Sequence, residues 1–372
     1  MQNRIVGIDL ARAIAILLVT WKHSMASFGA SGLLSGAAHY GLEVLMQLAT
    51  PTFLILFGAM LELVYKPRFE TASFMSASQR LFKRARDCYG YYCLTIIVFF
   101  LVMGTYSWKA LPLVFTGFIS VPYSNLIAFY TAAIFLAPFL IVARLRWGLF
   151  PIVGAALLIH LAHPIFAALP PAPELFGRDY LQHMSGYLYG QGVNFAGPSL
   201  IHGLSLVCLG MLFGHGLNRT SKADATTQIS PRGSIYIAVA ALSVVAIYWN
   251  WTTPLLSLEA LANTTLRMQS HPMYFSVGMV GAIGLTWLCI YVYDIRRIRM
   301  GRSLQVFGRR SLFAFGIGNI LAYIAPAEFA LYLGVWGSVT ALFATICAVT
   351  LIYDQYEMYR GRVVRLRLKQ SV

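Results

Sequence analysis

The chain has 372 residues, of which 58% are hydrophobic and only 11% are charged, and its mean hydropathy is +0.68. Soluble globular domains carry about 25% charged residues, so this composition excludes an ordinary soluble protein and predicts a membrane protein. The net charge of +15 is typical of nucleic-acid-binding proteins, but the basic residues gather on one side of the predicted membrane segments.

Apolar segments of about 20 residues follow one another along the chain, each long enough to cross a hydrocarbon core about 30 Å thick. Lipid offers no partner to unpaired backbone groups, so each segment is predicted to be a helix. The segments are continuous rather than alternating, which disfavours a β-barrel. We therefore predict an all-α bundle of about ten spans, forming one domain over residues 1–372 with a basic tail from about 357. The predicted spans are 8–28, 40–64, 89–107, 124–143, 147–168, 198–216, 233–251, 272–293, 304–325 and 332–354.

The basic residues set the expected orientation. With the N-terminus in the cytoplasm, 23 of the 28 Lys and Arg residues fall on the inner side. Only Lys109, Arg178 and Arg267 fall outside, while Arg12 and Lys22 lie within the first span. The positive-inside rule therefore predicts that both termini are cytoplasmic. The charge is explained by topology and by contact with anionic lipid, so we expect no nucleic-acid partner.

The first and most informative span carries Asp9, Arg12 and His23. Eleven helical residues bring Arg12 and His23 to one face, roughly 16 Å apart along the axis. Ionisable groups in a membrane segment are costly and usually serve a function. Asp9 is also placed to neutralise Arg12 as an ion pair, and an inert, hydrogen-bonded His23 is the structural alternative. Asp9 and Arg12 interrupt any hydrophobic region of a signal peptide, so we expect the span to be retained.

The second span carries two carboxylates, Glu43 near its outer end and Glu62 in its inner half. Each needs a partner if it is buried. Glu43, at about the depth of His23, is a candidate for fixing the imidazole tautomer, with a solvated helix start as the alternative. Thr50 and Pro51 at mid-span predict a bend that lines a cavity.

A basic run follows in the predicted inner loop, formed by Arg80, Lys83, Arg84 and Arg86. Guanidinium groups bind phosphate in a bidentate manner, which suits the pyrophosphate and 3′-phosphate of a coenzyme A nucleotide. Lipid contact is the alternative.

Two long outer loops, residues 169–197 and 252–272, are candidate walls of an outward-facing cavity, with an interfacial aromatic belt as the alternative. His202, Arg267 and His271 are candidate substrate-binding residues in or beside them, whereas His160 and His163 are interpreted as structural. The five cysteines, odd in number, show no metal-type spacing, so we predict neither a disulfide framework nor a metal site.

The segment from Arg4 to His23 resembles the opening of the acyltransferase-3 membrane family. The family pattern is a basic residue, ten other residues and then a histidine, and Arg12 and His23 match it. Residues 307–315, Phe-Gly-Arg-Arg-Ser-Leu-Phe-Ala-Phe, and residues 266–271, Leu-Arg-Met-Gln-Ser-His, resemble segments of its glucan-succinylating OpgC branch. This chain departs from the family in the basic loop, in the second span, and at Gly318-Asn319, where many relatives carry a histidine.

The resemblance implies an integral acyltransferase of a bacterial inner membrane. It would move an acetyl- or succinyl-type group from cytosolic acyl-CoA to a hydroxyl of an outward-facing glycan. We expect His23 to act as the base, or as the nucleophile that forms an acyl-histidine. Arg12 or a polar group near Thr50 would stabilise the oxyanion. The donor would thread a passage from the basic loop past Arg12. The alternative is a transporter of an organic anion, which would need no proton-accepting histidine.

Overall fold

The computed structural model describes residues 5–34, 36–104, 107–175, 177–190, 197–217, 259–298 and 302–370. These ranges are helical and contain no strand, only an isolated bridge between Leu175 and Arg178. The all-α prediction is therefore confirmed for the described part of the chain. The predicted span 233–251 lies outside the described residues.

The helices occupy most of each described range. They are α1 (Val6–Ser27), α2 (Gly36–Gln47), α3 (Ala49–Met60), α4 (Lys66–Thr71), α5 (Phe74–Met103), α6 (Leu111–Phe115), α7 (Asn125–Trp147), α8 (Leu149–Leu161), α9 (His163–Ala167), α10 (Tyr180–Tyr189), α11 (Leu200–Gly216), α12 (Thr265–Met268), α13 (Pro272–Ile290), α14 (Arg302–Arg309), α15 (Ser311–Ile324) and α16 (Phe329–Gln370). Two π-helical turns, Leu61–Tyr65 and Tyr291–Ile295, extend α3 and α13.

Five helices among the described residues are long and apolar enough to cross a membrane: His39–Thr71, Phe74–Met103, Asn125–Trp147, Pro272–Ile295 and Phe329–Arg362. Three predicted spans appear as shorter apolar helices, α8, α11 and α15. With 13, 17 and 14 residues they are about 20 to 26 Å long, less than the hydrocarbon thickness. The predicted first span corresponds to α1, which has 22 residues. It carries Asp9, Arg12 and Lys22 and is not one of the five helices given above.

The coordinates divide into two compact units. The first unit joins Met1–Leu34 to Thr286–Val372, and α1 packs there on α14, α15 and α16. Asp294, in the second π-turn, accepts hydrogen bonds from the backbone N–H groups of Val6 (3.0 Å) and Gly7 (2.7 Å). A carboxylate at this position satisfies two of the unpaired donors at a helix N-terminus and complements its dipole. Asp294 thereby fixes where α1 begins.

Glycine permits close helix contacts within the first unit. A Cβ at Gly7 would collide with the backbone of Ile290, and one at Gly308 would collide with the Asp9 carbonyl oxygen. The Phe307-Gly308 pair of the family-like segment therefore packs directly against α1. This contact fixes the part of α1 that carries Asp9.

The second unit comprises Ser35–Leu285. Its centre is the contact between α3 and α11, where Gly58, Gly210 and Gly214 each pack against the backbone of the facing helix. Small residues let membrane helices approach closely in this way. The predicted bend stays a prediction: the helical hydrogen bonding is interrupted between Gln47 and Ala49, but Leu48 keeps right-handed helical dihedral angles and lies within the helical run His39–Thr71. The Pro51 ring would clash with the carbonyl of residue 47 in a continuous helix.

The basic run differs from its predicted setting. It is not in a loop, because α5 extends from Phe74 to Met103 without interruption. The Phe82 and Phe135 rings lie 5.6 Å apart, and the Cys88 thiol donates to the Ile127 carbonyl at 3.7 Å. The run thus lies within α5 and packs along α7, whereas the prediction placed it in a loop before the span 89–107. Phe135 is nine residues from Arg144, so this level of α7 is about 14 Å from its basic end.

Candidate functional site

His23 is held between α1 and α15 of the first unit. Its Nδ1 lies 2.9 Å from Oδ1 of Asn319, which is fully buried. The Phe315 ring packs against the imidazole with centroids 5.7 Å apart. One turn later, Ser27 donates from its hydroxyl to the carbonyls of His23 (3.0 Å) and Ala322 (3.2 Å). Both helices therefore fix the position and plane of the ring.

The partner atom determines the histidine tautomer. An amide oxygen can only accept, so the hydrogen bond requires the proton of neutral His23 to be on Nδ1. The lone pair is then on Nε2, the nitrogen that can take up a substrate proton. Asn319 is the residue at which the sequence departs from the resemblance described above, and the structure places its side chain against His23. The sequence analysis did not connect the two residues.

Asp9 and Arg12 form the ion pair considered as an alternative, with 3.9 Å between Oδ1 and the guanidinium nitrogen. The Asp9 side chain is 11% exposed and that of Arg12 21% exposed. A largely buried pair of this kind neutralises both charges on the helix. Because the axial separation from His23 is about 16 Å, Arg12 and His23 contact different parts of any ligand.

The adjacent arginines of the family-like segment are held by acidic residues of α16. Arg310 donates from Nε to Asp354 Oδ1 at 2.8 Å, and Arg309 reaches Asp354 Oδ2 at 3.4 Å. A second carboxylate, Glu357, lies 3.8 Å from Arg310. Asp354 is buried, so the two arginines compensate its charge. These ion pairs join the junction of α14 and α15 to α16, and α15 is the helix that carries Asn319.

Three predicted substrate residues of the second unit lie near one aromatic pair, Tyr274 and Phe275. Tyr274 is close to Thr50 and Arg267, although its buried hydroxyl makes no hydrogen bond among the described residues. Phe275 stacks on His202, with centroids 5.8 Å apart and planes at 14°. The structure thus brings Thr50, Arg267 and His202 near residues 274 and 275, although they are far apart in sequence.

Two further histidines belong to this cluster, although the sequence analysis interpreted them as structural. His160 lies 2.6 Å from the Ser205 hydroxyl through Nε2, and its ring is 5.6 Å from that of His202. His163 lies 4.9 Å from the ring of His271 and 3.1 Å, through Nε2, from the Gln269 carbonyl. The two histidines are three residues apart in sequence, although α8 ends at Leu161 and His163 begins α9.

His271, just before α13, is neutral at physiological pH. Burial, and the neighbouring His163, lower its pKa from 6.5 to about 4. Its Nδ1 accepts a hydrogen bond from the Met273 backbone N–H at 3.1 Å, so its own proton is on Nε2. The cluster therefore offers uncharged imidazole and hydroxyl groups beside the cationic side chain of Arg267. Among the described residues, no three His, Cys, Asp or Glu side chains are arranged to hold a metal ion.

The two carboxylates of the second span are both buried. Glu62 has the partner that its burial requires: Arg144 makes a bidentate contact, with Nε 3.1 Å from Oε2 and a terminal nitrogen 2.9 Å from Oε1. His215 lies 3.3 Å away. Glu43 belongs to the second unit and His23 to the first, so its role in fixing the His23 tautomer stays a prediction.

The basic run presents its four cationic side chains on the exposed side of α5. Arg84 lies 6.0 Å from the Tyr65 ring centroid, within the range of a cation–π contact. Arg86 lies 3.5 Å from Asp87, with both side chains largely exposed. These contacts leave room for phosphate binding by the run, which stays a prediction.

Similarity to known proteins is concentrated in the N-terminal part of the chain. The family model described as OpgC protein matches residues 4–118. This stretch covers less than a third of the 372 residues, but it contains Arg12, His23 and the basic run. No curated protein matches the chain. The family match supports an OpgC-like, glucan-modifying acyltransferase activity, while Asn319 and the histidine cluster lie beyond it.

Proposed function

We propose that the protein is an integral membrane O-acyltransferase. It moves an acetyl- or succinyl-type group from acyl-CoA to a hydroxyl of a glucan or related glycan. The observation that carries this proposal is the His23–Asn319 hydrogen bond of 2.9 Å, which orients a neutral imidazole for proton transfer. The similarity of residues 4–118 to OpgC protein supports the choice of a glycan acceptor.

In the proposed reaction, Nε2 of His23 accepts the proton of the acceptor hydroxyl as the oxygen attacks the thioester carbonyl carbon. The carbon–sulfur bond breaks, and the coenzyme A thiolate takes the proton back from His23. Asn319 keeps Nδ1 protonated throughout, so that the imidazolium which forms transiently stays hydrogen-bonded. Arg12, neutralised by Asp9 in the resting state, binds an anionic part of the substrate at a distance from the reacting atoms.

The remaining predicted site residues have proposed binding roles. Arg80, Lys83 and Arg84 bind the phosphates of the donor, for which their exposure and charge are suitable, whereas Arg86, the fourth residue of the predicted run, lines a separate cleft. The cluster around Tyr274 and Phe275 binds the acceptor, because its histidines and hydroxyls, together with Arg267, offer hydrogen bonds to a glycan. We further propose ten spans with both termini in the cytoplasm of a bacterium, as the charge distribution predicts.

The test is acyl transfer by the purified full-length chain. Acetyl-CoA and succinyl-CoA are each supplied with and without glucan oligosaccharides, and both free coenzyme A and acylated oligosaccharide are measured. We expect coenzyme A release that depends on the acceptor and matches the acylated product. Uptake of an organic anion into vesicles without acyl transfer would instead establish the transporter.

A further inference from the structure

A cleft of about 530 Å³ lies within the second unit, between α5, α7, α10 and the segment after α6. This volume is in the range of small-molecule sites. Its walls are mostly apolar and include six aromatic side chains, Phe82, Tyr89, Tyr92, Phe115, Phe135 and Tyr187. Neither the sequence analysis nor the proposed reaction gives this cleft a role.

The polar groups of the walls are largely occupied. Tyr92 donates its hydroxyl to the Val114 carbonyl at 2.7 Å, and Tyr187 donates to Ala128 at 3.3 Å. Ser120 donates to Asn125 at 2.7 Å. A sugar with a hydroxyl on nearly every carbon would lose its bonds to water without replacement. The main body of the occupant must therefore be apolar.

Two side chains give the cleft an anion-binding character. Arg86 lines it and is only weakly compensated, because its ion pair with Asp87 is long (3.5 Å) and exposed. His183 also lines it, with Nε2 3.5 Å from Asp179, while its buried Nδ1 has no hydrogen-bond partner among the residues that the structure describes. A guanidinium binds a phosphate. With the Nε2 proton directed at Asp179, Nδ1 accepts a hydrogen bond from a hydroxyl group.

A membrane lipid has these properties and can reach the cleft. Both α5 and α7 are long and apolar enough to cross a membrane, and Phe135, in the wall of the cleft, is itself 53% exposed. Lipid therefore has access to the cleft. An arginine among apolar helices binds anionic headgroups at the interface.

We propose that this cleft binds one anionic phospholipid, with an acyl chain among the six aromatic side chains. Its phosphate contacts Arg86, and a hydroxyl of its headgroup donates to His183 Nδ1. Phosphatidylglycerol has this chemistry. The site is separate from the proposed reaction, because it requires neither His23 nor the acyl donor.

The test uses the full-length chain in nanodiscs of phosphatidylcholine that contain trace phosphatidylglycerol with a photoactivatable acyl chain. Cross-linked peptides are identified by mass spectrometry. We expect labelling of residues 82–92 and 115–135 at least fivefold above the lipid-exposed face at Leu94, Ile97 and Leu101. Arg86→Gln should reduce this labelling severalfold, and Ala132→Trp, which fills the cleft, should abolish it.

Matched variants separate the cleft from general effects. Arg80→Gln removes a charge from the same run, and Val142→Trp adds a ring to the same α7 outside the cleft, so neither should alter the labelling. Three results would each overturn the proposal: equal labelling by a phosphatidylcholine probe, equal labelling in Ala132→Trp, or displacement of the probe by glucan oligosaccharide. Displacement by acyl-CoA at micromolar concentration would also overturn it and assign the cleft to the donor.

Discussion

Asn319→Leu tests whether the His23–Asn319 contact serves catalysis. Leucine keeps the branched shape of the asparagine side chain, although it is larger, but it cannot accept a hydrogen bond from Nδ1, so His23 loses its 2.9 Å partner. Leaving a buried donor unsatisfied costs about 1–3 kcal/mol. Because His23 is only half-buried, we expect the lower half of that range, about 1–2 kcal/mol. At 1.4 kcal/mol per factor of ten, turnover should fall about 5- to 30-fold.

Asn319→Asp is the matched variant, because a carboxylate oxygen accepts the same hydrogen bond. It should retain turnover within about threefold of the wild type, a difference below 1 kcal/mol. Thr350→Val controls for the loss of a buried hydrogen bond in the same unit, since Thr350 donates only within α16, to Ile346 at 2.8 Å. It should change thermal stability but not turnover. The assay is kcat for acyl transfer, with folded protein quantified by size-exclusion chromatography. Wild-type turnover in Asn319→Leu would refute the positioning role.

Three further predictions concern topology, the donor and pH. Single cysteines at positions 109, 178 and 267 should react with an impermeant thiol reagent applied to intact cells, whereas those at 84, 297 and 365 should react only after permeabilisation; labelling of position 84 from outside would contradict the proposed orientation. Charge reversal of Arg80 and Arg84 to Glu should raise the KM for acyl-CoA severalfold with little change in expression, because exposed substitutions seldom destabilise; parallel loss of protein and activity would indicate lipid anchoring instead. The pKa of His271 is lowered by burial from 6.5 to about 4, so the unfolded state binds more protons between these values. The stability contribution of neutral His271 is then complete above pH 6.5 and is lost as the pH falls towards 4. His271→Gln should flatten the thermal-stability profile in this interval, and an unchanged profile would argue against the buried neutral state.

The sequence predicted those features that depend on local chemistry. Pro51 predicted a local disturbance of the second helix, and its hydrogen bonding is interrupted at Leu48, between Gln47 and Ala49. The burial of Glu62 required a cationic partner, but periodicity cannot show that the partner is Arg144, 82 residues away. Charge alone suggested a loop for the basic run, whereas the strong helix formers of α5 keep it helical.

The candidate site was only partly predictable for the same reason. Arg12 and His23 share one helix, so their spacing was visible directly. Asn319 lies 296 residues from His23, and only the packing of α1 on α15 brings the two side chains together. The histidine cluster likewise joins α8, α11 and α13, whose contacts depend on tertiary structure. The sequence predicts a structural role for His160 and His163, because a single histidine near a membrane interface has an ordinary structural explanation.

The central claim is that His23 performs the proton transfer. Its most direct test is single-turnover acyl transfer by purified His23→Ala, compared with the wild type and with the neighbouring Lys22→Ala. General acid–base catalysis contributes about 10²–10⁴-fold, so His23→Ala should lose at least about 100-fold while remaining folded in the membrane, and Lys22→Ala should retain its rate. Turnover of His23→Ala within tenfold of the wild type would contradict the account.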